Sequence, residues 1–266
     1  MKWSENEKQI LQSNWGNVKQ HEMKLLLPNR NIQAIQKMAQ RMNLDGRAGY
    51  ISRKYHFDTD YFNTLNRENC YWAGFIAADG YIYNRDKSVA IGLARKDRVM
   101  LEEFKRVTNY NGIIFDYINE KDNTKSSKLT FYGADKWINV LFNTFHIHQA
   151  KSLTLRPPSG LTDIELIYSF IIGYFDGDGT AHWSKNGKYG YIFNFGVVGT
   201  YRMLSWIKGY VDLLAPESIH GEVNIGEANG YPRIIYRGQR ALEIHKILKN
   251  FELPFRLKRK WYLNDK

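Results

Sequence analysis

Two aspartates, Asp79 and Asp178, are the residues of this chain whose setting points most directly to chemistry. Each closes a short apolar run, Trp72-Ala73-Gly74-Phe75-Ile76-Ala77-Ala78-Asp79-Gly80 and Ile171-Ile172-Gly173-Tyr174-Phe175-Asp176-Gly177-Asp178-Gly179. The glycine after each acid suits the residue that ends a helix. A carboxylate in a last helical turn faces the negative end of the helix dipole, and two brought together would also repel. A bound divalent cation relieves both problems, and carboxylate oxygens with water suit Mg²⁺, with Mn²⁺ an expected substitute. Cations held this way beside a phosphodiester activate water and stabilise the leaving oxygen, so the chemistry implied is metal-dependent hydrolysis of a phosphodiester.

Such a pair works only if the chain brings its two members together. Gly74 and Ala78 are four apart, as are Gly173 and Gly177, so each pair lies on one helix face. Small residues there let a second helix approach backbone to backbone, which offsets the ~1 kcal/mol that a helical glycine costs. The acids lie 99 positions apart, enough for a whole α/β subdomain between them. The predicted elements also recur. A helix at 68–79, strands at 81–83 and 89–94, a helix at 97–107, strands at 113–118 and 128–132 and a helix at 134–145 come first. A helix at 163–178, strands at 180–183 and 191–198, a helix at 201–214, strands at 222–225 and 233–236 and a helix at 239–251 follow. The expected fold class is α+β, with two pseudo-symmetric repeats over 68–156 and 157–266, joined at Pro157-Pro158-Ser159-Gly160. A small helical domain at 1–50 and a partly ordered linker at 51–67 precede them.

The chain of 266 residues carries 38 Lys and Arg against 27 Asp and Glu, a net charge of +11. A surface so basic favours an anionic partner. The longest apolar stretch, 164–175, is interrupted by Glu165 and falls short of the ~20 residues that span a bilayer. The first residues, MKWSENEKQI, lack a signal peptide's apolar core. A soluble, cytoplasmic protein with nucleic acid rather than membrane as partner is expected. The lone Cys70 excludes an internal disulfide and a cysteine-rich zinc site.

In the first fifty residues, Ser4 and Glu7 form a capping-box pattern ahead of Ile10 and Leu11. A second helix near 18–26 ends before Pro28. Asn31 then caps a third, with Ile32, Ile35, Met38, Ala39 and Met42 on one face and Gln33, Gln36, Lys37, Gln40 and Arg41 on the other. A basic, glutamine-rich face is what a recognition helix presents to base edges and phosphates. The segment resembles a Myb-like helix-turn-helix, with Trp3 and Trp15 as core aromatics and Leu27-Pro28-Asn29-Arg30 before the last helix.

Both nine-residue runs resemble the LAGLIDADG signature of homing endonucleases, the second (IIGYFDGDG) more closely than the first (WAGFIAADG). The resemblance covers about residues 60–266 and is to the two-motif, monomeric type. A Myb-like segment ahead of the repeats looks like the phage- and intron-associated members, in keeping with a prokaryotic or phage-encoded protein. It implies two αββαββα halves that meet at the motif helices and grip a long double-stranded DNA site in the major groove with saddle-shaped antiparallel sheets. The eighth motif position, the family's metal-binding acid, falls on Asp79 and Asp178, with the carbonyls of Ala78 and Gly177 assisting. Both strands would be hydrolysed across the minor groove, leaving short 3′ overhangs. Ala77 stands where the second motif has Asp176, which is expected to be structural. Family members often carry a lysine near the end of each half. Lys151 is the candidate in the first and Lys258 in the second, with Arg259 and Lys260 competing. Base and phosphate contacts would fall to Arg85, Lys87, Arg95, Lys185, Lys188, Arg233 and Arg237. The alternative is a non-cleaving binder on the same scaffold, an intron maturase with intron RNA as partner or a transcription regulator.

Overall fold

The computed structural model describes residues 3–15, 18, 20–44, 55–120, 122–187, 190–215, 221–228 and 230–263. The chain divides into two compact units, Met1–His56 and Phe57–Lys266. Among the described residues no helix is long and apolar enough to cross a membrane.

The first unit holds α1 (Glu5–Asn14), α2 (Gln20–Leu26) and α3 (Ile32–Arg41). The capping box read from the sequence is present: the Glu7 amide donates to Ser4 Oγ at 3.2 Å and the Ser4 amide to Glu7 Oε2 at 2.8 Å. Leu11, Met23, Leu27, Ile35 and Ala39 form its core. Arg30 is buried against it, donating to both Glu7 oxygens at 2.7 Å with its guanidinium 4.6 Å from the Trp3 ring. This pair holds the Glu7 carboxyl down to about 2. Asn31 caps α3, accepting from the Ala34 amide at 2.8 Å.

The second unit is α+β. Its first half runs α4 (Arg67–Asp79), β1 (Gly80–Tyr83), β2 (Ser88–Ala94), α5 (Arg98–Val107), β3 (Phe115–Ile118), β4 (Lys125–Tyr132) and α6 (Asp135–Phe145). Its second runs α7 (Ile164–Asp178), β5 (Gly179–Lys185), β6 (Tyr191–Val198), α8 (Tyr201–Leu214), β7 (Gly226–Ala228), β8 (Tyr231–Arg237) and α9 (Gly238–Lys249), followed by a single turn, α10 (Lys258–Trp261). The expected αββαββα order is thus present twice, with antiparallel sheets ordered β1-β2-β4-β3 and β5-β6-β8-β7. Alternation along the strands gives each sheet one helix-covered face: Ile82, Val89 and Phe131 line up inward on the first, and Phe195 and Tyr236 on the second. Trp72 stacks on Phe104 at 4.4 Å, and Phe175 on Phe195 at 4.2 Å, so each motif helix is seated on its own core.

Several boundaries differ from expectation, three of them with a clear cause. Residues 57–66 are part of the first repeat rather than linker. Phe57 packs edge-on against Phe131 and Trp137 at 5.2 and 4.8 Å, Phe62 is fully buried, and Trp137 Nε1 donates to the Asp58 carbonyl at 2.9 Å. Their aromatic side chains complete a core that the sheet and its helices leave open. The strand expected at 222–225 lies instead at Gly226–Ala228, because the hairpin closes beside Gly230 (φ 77°) and pairs Ala228 with Tyr231 and Gly226 with Arg233. The strand expected from 113 begins at Phe115, where pairing with Lys128 starts.

Candidate active site at the paired helices

The small residues of the two motifs place α4 and α7 in backbone contact. A Cβ on Gly74 would lie 2.0 Å from the Phe170 carbonyl oxygen, and one on Gly173 would lie 1.9 Å from that of Tyr71. The two contacts are equivalents, each glycine meeting the carbonyl three residues before the other, which is what a pseudo-twofold axis between the repeats produces. At the C-terminal ends a Cβ on Gly177 would meet Ala78 Cβ at 2.3 Å and Asp79 Oδ2 at 3.3 Å, so the first acid sits against the backbone of the second motif.

Asp79 and Asp178 are both half-buried, and no donor is hydrogen-bonded to either carboxylate among the described residues. Burial pushes both carboxyls above the usual range. Asp178 is raised to about 6, with the charge of Asp79 as the second cause, while Lys151 and Lys260 pull the other way. Among the described residues no third His, Cys, Asp or Glu joins them. Two carboxylates with room for water and phosphate oxygens fit Mg²⁺ better than a closed zinc cage.

Each helix end carries a buried ammonium. Lys151 Nζ donates to the carbonyls of Gly80 at 2.6 Å and Ala78 at 3.3 Å. Lys260 Nζ donates to those of Asp176 at 2.6 Å, Gly177 at 2.8 Å and Phe175 at 3.0 Å. Both satisfy carbonyls that a helix C-terminus leaves open and complement its dipole. Burial lowers both lysines, Lys260 to about 8. The Ala78 and Gly177 carbonyls expected as metal ligands therefore each accept an ammonium, with a second lone pair remaining.

Lys258, the expected second-half lysine, is exposed, and Lys260 holds the place corresponding to Lys151. The turn of α10 decides this. Trp261 is fully buried beside Lys260, and Arg259 reaches the first repeat, donating to both Asp97 oxygens at 2.8 and 2.7 Å. That leaves Lys258 the outward position. Asp176 fixes the same segment: its Oδ2 accepts from the Tyr71 hydroxyl at 2.6 Å and the Leu257 amide at 2.8 Å, and its Oδ1 from Trp261 Nε1 at 2.6 Å. The first motif has Ala77 at this position and no equivalent tie. Lys260→Ala leaves three helix-end carbonyls without their donor and is expected to destabilise the fold by about 1–3 kcal/mol in denaturant unfolding. Lys258→Ala, measured alongside, should leave stability within about 0.5 kcal/mol, since Lys258 is exposed.

A cavity of about 440 Å³ opens beside the acids, lined among others by Lys151, Tyr174, Asp178, Gly199 and Tyr201. Gln33, Gln36, Lys37, Gln40 and Arg41 are all exposed on α3. Arg85 and Lys87 are exposed in the β1–β2 turn, Lys185 ends β5, Arg233 is half-buried on β8 and Arg237 is exposed at its end. Arg95 begins the turn after β2 and is paired with Asp116 at 2.9 Å. Lys188 lies outside the described residues. Strand alternation also sends Tyr81, Tyr83, Lys128 and Tyr132 to the outer face of the first sheet, none of them marked by the charge pattern, and His182, read from the sequence as a packing or DNA-backbone residue, with Asn194 to that of the second.

Residues 67–143 match the family described as LAGLIDADG-like domain. A comparison with curated proteins finds no match. Among solved structures, the chain is similar to the homing endonuclease I-WcaI bound to its DNA recognition sequence, at 14% identity and a TM-score of 0.49, over 77% of this chain and 92% of that one. It is also similar to the I-LtrWI LAGLIDADG homing endonuclease bound to target DNA, at 15% identity and a TM-score of 0.44, over 74% and 85%. A third similar structure is full-length DUF199/WhiA from Thermatoga maritima, at 14% identity and a TM-score of 0.44, over 74% and 60%.

Proposed function

We propose that this chain is a monomeric, site-specific endonuclease that cuts both strands of a long double-stranded DNA target by metal-dependent phosphodiester hydrolysis. The observation that carries the reading is the meeting of Asp79 and Asp178, neither hydrogen-bonded, at the joined ends of two glycine-packed helices that each also carry a buried lysine. The two carboxylates would hold Mg²⁺ or Mn²⁺. When bound, the cation supplies an activated water and stabilisation of the leaving oxygen.

The rest is the work of the chain's own groups. Gly74 and Gly173 set the separation of the helices and so of the acids. Lys151 and Lys260 keep positive charge at the helix ends, where charge builds on the phosphate in the transition state. The sheets begin at Gly80 and Gly179, directly after the acids, and so flank the centre on two sides. The net charge of +11 supports a polyanionic substrate.

The deciding experiment exposes a randomised duplex library to the protein with Mg²⁺ and sequences the ends. Recovery of one preferred site with short 3′ overhangs supports the reading. Tight duplex binding without cutting in Mg²⁺ or Mn²⁺ identifies a non-cleaving regulator, and binding of intron RNA with assisted splicing identifies a maturase.

In the first unit, α3 presents its glutamine-rich basic face to the DNA in the manner of a helix-turn-helix. Deleting residues 1–50 is expected to shorten the nuclease-protection footprint while leaving metal-dependent cutting at high protein concentration. A footprint of unchanged length removes this role. Because Lys37 and Arg41 would meet phosphates, Lys37→Ala/Arg41→Ala should reduce the slope of log affinity against log salt by about 2.

A further inference from the structure

Resting on the reading as a duplex-DNA endonuclease, we propose that the two sheets read chemically different half-sites. The first sheet recognises a thymine-rich half through tyrosine contacts with thymine methyl groups. The second recognises guanines through Arg233 and Arg237.

The register shows how different the two outer faces are. On the first sheet, β2 contributes only Ser88, Ala90, Gly92 and Ala94 to the outer face, a floor of small side chains. Tyr81 and Tyr83 of β1 stand on one side of that floor. On the other stand Tyr132 of β4 and, beyond it, Phe115 and Tyr117 of β3. Tyr83 is 39% exposed, Tyr81 54% and Tyr132 59%, so the ridges project into solvent rather than fold onto the sheet. The paired positions of this face hold no Arg, Asn or Gln, and their one cation, Lys128, sits with Nζ 5.4 Å from the Tyr83 ring.

On the second sheet the outer face carries, beside Val198, Ile235 and Tyr231, the guanidinium and amide side chains that the paired positions of the first lack. His182, Asn194 and Arg237 form one cross-strand row, and Val198, Arg233 and Gly226 another. The Asn194 amide donates to Ser184 Oγ at 2.8 Å and so is turned along the sheet. Neither Arg233 nor Arg237 has an ion-pair partner among the described residues.

In the major groove the thymine C5-methyl is the one apolar group on the base edges, whereas guanine O6 and N7 form the acceptor pair that an arginine fork matches. An aromatic face this exposed calls for an apolar complement. Both faces adjoin the acid pair through β1 and β5, and exposed Arg85 and Lys87 flank the aromatic one in the β1–β2 turn, where a phosphate backbone would pass. One duplex laid across the two sheets therefore meets apolar side chains on one half and guanidinium groups on the other.

The test uses the full chain and the site that it selects from a randomised duplex library. Replacing thymine with deoxyuridine deletes only the methyl group. In one half-site this should weaken binding about fourfold per contacted methyl, and Tyr83→Ala/Tyr132→Ala should abolish that penalty. Arg233→Ala should relax the guanine preference about tenfold, in the other half alone. Equal binding of the thymine and deoxyuridine duplexes overturns the proposal, as does relaxation of the same half by both variants. Binding of single-stranded RNA that is lost in Tyr83→Ala/Tyr132→Ala while duplex selectivity stays intact also overturns it, assigning the aromatic face to base stacking. Failure to select any duplex would instead remove the endonuclease reading on which the proposal rests.

Discussion

Asp79→Asn and Asp178→Asn are each expected to abolish double-strand cleavage while duplex affinity stays within about threefold, a change under ~0.7 kcal/mol. Asparagine preserves the shape of the side chain and removes the charge. Neither acid accepts a hydrogen bond among the described residues, so no hydrogen-bond network depends on them, and the isosteric amide keeps their packing. What disappears is half of the anionic oxygen set that offsets a cation's charge. A loss of at least about 10³-fold in the single-turnover rate, roughly 4 kcal/mol of transition-state stabilisation, is the expected scale for a group on which water activation depends. Removing a negative charge near a polyanion does not weaken association, so binding measured by gel shift in Ca²⁺ provides the control. Full cutting by the Asp79→Asn/Asp178→Asn double variant would sink the assignment of the centre.

The second large effect is mechanical. Gly74→Ala and Gly173→Ala would each drive a methyl to about 2 Å from a backbone carbonyl oxygen of the opposite helix. A backbone carbonyl inside a helix cannot swing away as a side chain can, so α4 and α7 must part by more than an ångström, and the cores under Trp72 and Phe175 part with them. Overpacking usually costs 1–3 kcal/mol, and here nothing soft absorbs it, so about 3 kcal/mol or more is expected. Gly209 provides the matched control. It lies inside α8 with nothing within 4 Å of its would-be Cβ, so Gly209→Ala should be neutral or stabilising by up to about 1 kcal/mol. Denaturant unfolding of the three variants measures the contrast. Equal stability of Gly74→Ala and Gly209→Ala would show that the helices do not meet at the glycines.

How far the sequence could be read follows from what each feature depends on. The capping box of α1, the glycine-spaced motif helices and the twofold recurrence of element order are short-range patterns, and each was legible because its cause lies within a few residues. The choice of Lys260 over Lys258 was not. Three cations sit in one turn, and only the burial of Trp261 and the hydrogen bonds to Asp176, 85 positions away from Trp261, set which of them faces the helix end. The same holds for Phe57 and Phe62, whose place in the core depends on Phe131 and Trp137. The outer face of the first sheet was legible in principle, since alternation in Gly80–Tyr83 and Lys125–Tyr132 marks it, but it carries tyrosines where a search for basic residues does not look.

The asymmetry at Asp176 has a consequence in time. Lys151 and the acid beside it belong to a repeat whose residues are all made before α7 is finished. The second end closes only when Leu257, Lys260 and Trp261 arrive to meet Asp176 and the carbonyls of α7. A chain still short of those residues has only the Tyr71 hydroxyl to donate to the Asp176 carboxylate, and open carbonyls at the helix end. The half that carries the fuller motif therefore closes later in synthesis than the half that carries Ala77.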